Sequence, residues 1–386
     1  MRRIYLDHAA TTPMRTEVVE AMLPYFRDAF GNASSMHAWG RAARNALETA
    51  RERIAASLGA RRAEIVFTGG GTEADNLAIL GRWRWVCRES GGPAGAIVCS
   101  AVEHKAVGSA AEFAAAEGAE LILIGVDETG RVEVGSVVEA LKAGPCLVSV
   151  MWGNNEVGTI QPVADVGRRC REAGVAFHTD AVQALGKVRI RVDETPCDLL
   201  AASGHKIGGP KGIGFLYVRE GIALAPLTHG GGQERALRPG TENVAAAVGL
   251  AEAVELATGD VAAETQRLAA LRDRLEAGLR ARIPDLMVNG ASAARLPHVL
   301  SVTVPGADAE ALLIALDLEG VAASGASACA SGSARPSHVL VAMGRSEAGA
   351  SIRLSLGHTT TRADIDFAID VVPAVVAQIR PARQPA

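Results

Sequence analysis

Short apolar runs alternate along the chain with longer segments whose apolar residues recur at helical spacing. EIVFT (64–68), AIVCS (96–100), AELILIGV (119–126), PCLVSVM (145–151), VAFHT (175–179), DLLAAS (198–203) and GIGFLYV (212–218) read as strands. Near-continuous apolar strands are those covered on both faces. Helical patterns such as TEADNLAILGRWRWVC (72–87) and VADVGRRCREAG (163–174) fall between most of them. The pattern predicts an α/β fold, with a mostly parallel seven-stranded sheet in a large domain. A long Ala/Leu/Glu/Arg stretch then predicts one helix from about 242 to 282. After it come a strand (HVLSVTV, 298–304), a helix (308–319), a Gly/Ala/Ser loop, a strand (ASIRLSLG, 350–357) and a last helix. This second texture predicts a smaller α+β domain. The boundary is placed near residue 258, giving a large domain of 14–258 and a small one of 1–13 plus 259–386.

Composition narrows the function more than the fold. The 386 residues are 48% hydrophobic and 21% charged, ordinary for a globular chain of about two domains. A net charge of -4 supplies no basic footprint, so nucleic acid is not an expected partner. No apolar run reaches membrane-spanning length, and MRRIYLDHAATT has no apolar core after its arginines, so neither a membrane nor a secretory route is expected. The six cysteines form no Cys-x-x-Cys pair and have no histidines at zinc spacing. A reduced, cytoplasmic setting and no metal are the expectation. One cysteine stands apart: Cys329 lies in GASACASGSARP (325–336), with almost nothing large to pack against. Only Lys105, Lys142, Lys187, Lys206 and Lys211 are lysines among 39 basic residues, so lysine is kept where an amine that can lose its proton is useful.

Ligands of open parallel sheets sit at the carboxyl ends of the strands, so the segments just past each strand carry the candidate chemistry. GGGTEADN (69–76) follows the first; its glycines lead into a helix, with Thr72 as expected N-cap and Asp75 at capping-box spacing. Such a helix start offers N–H groups to an anion, though a plain turn reads the same way; neither a P-loop nor a GxGxxG spacing is present. His104 follows AIVCS, and Asn154 and Asn155 follow LVSVM, where they can hold a polar ligand or form a turn. Asp180 ends an apolar strand and needs a positive partner there, with Gln183 three residues on. Ser203, His205 and Lys206 occupy a glycine-bounded bend. An anion cradle, a flat imidazole, a buried acid and an amine together meet the needs of pyridoxal phosphate (PLP), whose ring works as an electron sink.

The chain resembles the class V, fold-type-I PLP enzymes, and within them the NifS/IscS-like cysteine desulfurases. The matching stretches include YLDHAATTP (5–13), FTGGGTEADNLAI (67–79), EHKAV (103–107), NNEVGTIQPV (154–163), HTDAVQALGK (178–187), SGHKIGGPKGIG (203–214), HGGGQERALRPGTENV (229–244), SACASGSARPSHVL (327–340) and SIRLSLG (351–357). The resemblance implies that Lys206 bonds the cofactor aldehyde and later moves protons. It implies that Asp180 pairs with the pyridine nitrogen, and that Gln183 and Asn155 bond the ring oxygen or the substrate. Thr72, Ser203 and His205 would hold the phosphate, and Thr241 would reach it from the second subunit of a homodimer. His104 would stack on the ring as acid and base, and Arg353 would fork onto the substrate carboxylate. Cys329 would take sulfur from L-cysteine as a persulfide, leaving L-alanine, and deliver it to an acceptor protein of iron–sulfur assembly or thiolation. An aminotransferase or selenocysteine lyase of the same fold is the alternative. A sulfur-relay protein without PLP is the rival from outside catalysis. Two departures stand out. His358 replaces the arginine usual after Ser-Leu-Gly. The chain also ends soon after its last helix, which looks more NifS-like and leaves the acceptor open.

Overall fold

The computed structural model describes residues 2–325, 337–345 and 349–380. Its seven-stranded sheet runs, from edge to edge, through Ile65–Thr68, Gly214–Val218, Leu199–Ser203, Ala176–Asp180, Leu147–Ser149, Ala96–Ser100 and Glu120–Ile124. Only Gly214–Val218 runs against its neighbours; the remaining pairs are parallel. The six strands from Ile65–Thr68 to Ala96–Ser100 are buried at every residue, which is why their sequences are continuously apolar rather than alternating. Glu120–Ile124 closes one edge and is only partly covered, leaving Leu123 63% exposed. Each expected strand is present, with its ends within two residues of those expected.

The expected helix over 242–282 is two helices, Val244–Thr258 and Val261–Arg282. The break has a local cause. The Asp260 side chain accepts the Ala263 N–H at 3.0 Å and so caps a new helix, after Gly259 has ended the first. The first helix packs with Ala38–Leu58 against the large sheet; the second turns toward a four-stranded sheet built on Val299–Val304 and Ala350–Ser355. A separate apolar cluster forms there, joining Ile4 and Leu6 to Leu268, Leu275, Leu300, Ile352 and Val372.

The N-terminal strip stitches the two parts together. Ile4 pairs with Val321, and the Ala9 N–H donates to Ser355 Oγ at 2.8 Å. A few residues on, the Thr12 N–H donates to His205 O and the Arg15 N–H to Gly208 O. YLDHAATTP therefore lies between the smaller sheet and the turn that carries Lys206.

One buried ion pair anchors the far edge of the large sheet. Arg51 forks onto Glu234 at 2.7 and 2.6 Å, and Glu234 also accepts the Phe67 N–H at 2.8 Å. Glu234, Arg235 and Ala236 all take left-handed backbone (φ 45, 58 and 61), a conformation costly for residues with a Cβ, and the ion pair helps hold it. Glu234→Ala is expected to lose about 3–5 kcal/mol, because it strands the Arg51 charge in the interior. Urea unfolding measures this; a midpoint within error of wild type would refute it.

Candidate active site

The anion cradle forms where Ile65–Thr68 gives way to the helix Gly71–Ser90. Gly70, not Thr72, precedes the helix, and no side chain caps it. Gly70 has φ 148, a backbone that strongly favours glycine. Thr72 sits within the first turn and is exposed, while Asp75 is buried one turn on. The expected capping box is therefore absent; Glu73 instead reaches back to the Gly69 N–H at 2.7 Å. This correction strengthens the cradle, since the first N–H groups of a helix have no intrahelical acceptor and here no capping side chain takes them. A Cβ on Gly71 would meet Val182 Cγ2 at 2.7 Å, so glycine is what lets this turn approach the neighbouring strand end.

A cavity of about 290 Å³ opens at this point. Thr72, Ser203 and His205 line it with Asp180, Gln183, Lys206, His104, Asn155 and Arg353. They come from five strand ends of the large sheet and from a strand of the smaller one. His205 places Nδ1 at 3.2 Å from Thr11 Oγ1, and burial with Lys206 and Lys211 nearby pushes its pKa down to about 4, so the ring enters the cavity uncharged.

Three groups crowd one wall. Asp75, His104 and Asp180 bring one nitrogen or oxygen each to within 4.8 Å of one another. Burial raises both carboxyl pKa values, but their surroundings differ. Asp180 is opposed by His104, the Val182 N–H at 2.8 Å and Lys206, all of which favour its anion. Asp75 is pushed up further, first by burial and then by the charges of Asp180 and Glu103. His178 stands 3.4 Å behind Asp75, but burial lowers its pKa to about 3, so it brings no positive charge. Of the two acids, Asp75 is pushed further toward its protonated form, and Asp180 is the one whose neighbours favour the anion. His104 also caps the helix Lys105–Ala116, its Nδ1 accepting the Ala106 N–H at 3.1 Å, which places the proton of the neutral ring on Nε2.

The N-terminal strip supplies what motif reading missed. Lys206 Nζ donates to the carbonyls of Ala9 and Ala10 at 2.7 and 2.8 Å, and Gln183 Nε2 donates to Ala9 O at 2.9 Å. The only signal was the match of YLDHAATTP itself, which names no reactive side chain. The two asparagines divide their work. Asn154 is buried and builds the turn, its Oδ1 accepting the N–H groups of Glu156 and Val157 at 2.9 Å each. Asn155 faces the cavity, and its carbonyl accepts Arg353 at 2.8 Å. Arg353 also donates to Asp7 Oδ1 at 3.0 Å and leaves its buried Nε without a partner. Thr241 does not join the cavity; it lines a separate cleft with Glu73 and Arg238. Cys329 lies outside the described residues.

The model of the class-V aminotransferase family matches residues 4–367. The chain belongs to that family. Among its curated relatives is "Cysteine desulfurase IscS" of Clostridium botulinum, 43% identical, with 98% of this chain and 96% of the relative covered. The "IscS-like cysteine desulfurase" of Mycobacterium tuberculosis is 46% identical over 97% of each. A solved "NIFS-LIKE PROTEIN" superposes with a TM-score of 0.89 at 33% identity, covering 98% of this chain and all of that one. Class-V members depend on PLP, and this member's donor set fits that group. A glycine-cleared helix start suits a phosphate, an anionic Asp180 suits a pyridinium nitrogen, and an amine stands between them. Among the described residues no helix is long and apolar enough to cross a membrane.

Proposed function

We propose that this protein is a PLP-dependent cysteine desulfurase that converts L-cysteine to L-alanine and leaves the sulfur on Cys329 as a persulfide. The relatives' shared activity supports the reaction. The observation that carries the site is the convergence of Lys206, Asp180, His104 and Arg353 on one cavity. When bound, PLP supplies an aldehyde for an amine and a ring that accepts an electron pair.

The chain's own residues do the rest. Lys206, released from the Ala9 and Ala10 carbonyls, is the amine that joins the cofactor and then moves a proton at the substrate carbons. Asp180 holds the pyridine proton. Thr72, Ser203 and His205 hold the phosphate, and Gln183 and Asn155 orient the ring oxygen and the substrate. His104, with its proton on Nε2, stacks on the ring and donates at the substrate. The Cys329 thiolate attacks the substrate sulfur: an S–S bond forms, the C–S bond breaks, and its electron pair goes to the carbon that is protonated to alanine.

In the division read from the sequence, Cys329 belongs to the smaller part, 1–13 with 259–386, and the cofactor-holding part is 14–258. A homodimer would bring Thr241 to the neighbouring subunit's phosphate. An iron–sulfur scaffold or thiolation protein would then take the sulfur. A reducing cytoplasm suits Cys87, Cys99, Cys146, Cys170 and Cys197, all free thiols.

The direct test is release of alanine and sulfide from L-cysteine with a thiol reductant by PLP-loaded protein. Absence of both products from fully loaded protein would refute the assignment. Arg353→Lys probes substrate binding: a point charge cannot copy the fork, so KM should rise about tenfold or more. An unchanged KM would remove Arg353 from carboxylate recognition.

A further inference from the structure

A second cavity, about 270 Å³, lies on the other side of Lys206. The N-terminal strip, the turn at Gly186–Lys187, the helix junction at Asp260 and the segment 356–358 surround it. Its volume falls just below the range of pockets that bury drug-sized ligands, so it suits a small solute. Three polar atoms at its walls are buried with no hydrogen-bond partner: His8 Nε2, His298 Nδ1 and Arg15 Nε. His8 is 4% exposed and His298 2%. Buried polar groups in folded proteins are nearly always paired, so three orphaned atoms on residues that line one cavity call for an occupant.

The charges around the space favour an anion. Lys187 and Arg15 form no ion pair among the described residues. Of the two acids here, Glu264 is taken up by a fork from Arg267 at 2.7 and 2.9 Å, and Asp260 caps its helix. The Lys187 pKa is lowered to about 8, by burial first, with Arg15 and Arg267 adding repulsion against the pull of Glu264. His8 and His358 are both pushed down to about 4 and so stay neutral.

The histidine at the back wall sets which anion. Gln183 Nε2 is committed to Ala9 O, so its Oε1 faces His298 Nε2 at 3.2 Å and can only accept. His298 therefore carries its proton on Nε2, and its orphaned Nδ1 is a bare lone pair. That atom needs a donor, while Lys187 and Arg15 need acceptors. We propose that this cavity is a second anion site, distinct from the cofactor cradle, that takes a protonated oxyanion such as hydrogen phosphate. The ligand's O–H would meet His298 Nδ1 and its bare oxygens would meet Lys187 and Arg15.

The test is isothermal titration of PLP-loaded protein with inorganic phosphate, in a buffer free of other oxyanions. With PLP in place its own phosphate covers the first anion site. Saturable binding of one phosphate per chain is expected. Sulfate, which has no proton to give at neutral pH, should bind at least about tenfold more weakly, as expected when a buried acceptor is left unmet. Lys187→Met and Arg15→Gln, each checked for retained PLP, should weaken phosphate by about tenfold or more. Weakening in either loaded variant supports the site. No saturable binding to wild type, or unchanged affinity in both variants, overturns it. Sulfate binding as tightly as phosphate overturns the role given to His298.

Discussion

Lys206→Ala is expected to abolish turnover of L-cysteine while leaving the fold intact. Lys206 is half-buried, and its ammonium donates to two backbone carbonyls. What is lost is the amine that bonds the cofactor and the group that moves protons, so the rate should fall by at least about 10³-fold. The decisive readout is independent of activity. Borohydride reduction followed by peptide mass analysis should fix the cofactor on Lys206 in wild type and on no lysine in the variant. The nearest rival, Lys187, faces the other cavity. Finding the cofactor on Lys187 or any other lysine in wild type would overturn the assignment.

Cys329→Ser should retain PLP and still bind L-cysteine, yet release neither alanine nor sulfide above background. A serine hydroxyl stays protonated at neutral pH and cannot attack the substrate sulfur as a thiolate does. The other cysteines cannot take its place. Burial raises the thiol pKa of Cys99, that of Cys146 to about 11, and those of Cys170 and Cys197 to about 12. Cys87 lies near the far end of the helix Gly71–Ser90, away from the cavity at its start. Persulfide labelling after incubation with L-cysteine measures the step. Full turnover in the variant would refute the role of Cys329.

The residues picked at strand ends meet in one cavity because a parallel sheet gathers the loops that follow its strands at one end. Asp180, Lys206, His104 and Asn155 are far apart in sequence, but each follows an apolar strand, and parallel pairing brings those ends together. The reading failed where spacing was judged without backbone geometry. Thr72 and Asp75 had capping-box spacing, but the helix begins two residues earlier than that cap requires, so Asp75 turns inward beside Asp180. The long 242–282 pattern hid a helix restart because Asp260 signals a cap only when the chain bends there.

The sequence by itself determined the class of fold and the cofactor chemistry, and it named most of the side chains that line the first cavity. Those depend on residue type and on the period of apolar positions, which are local. Tertiary structure decided which of two carboxyls is pushed further toward protonation, since Asp75 and Asp180 differ only in what surrounds them. It decided that the carbonyls of Ala9 and Ala10 hold Lys206, because backbone atoms carry no sequence signature. It also created the second cavity, whose groups come from six distant segments and share no pattern along the chain.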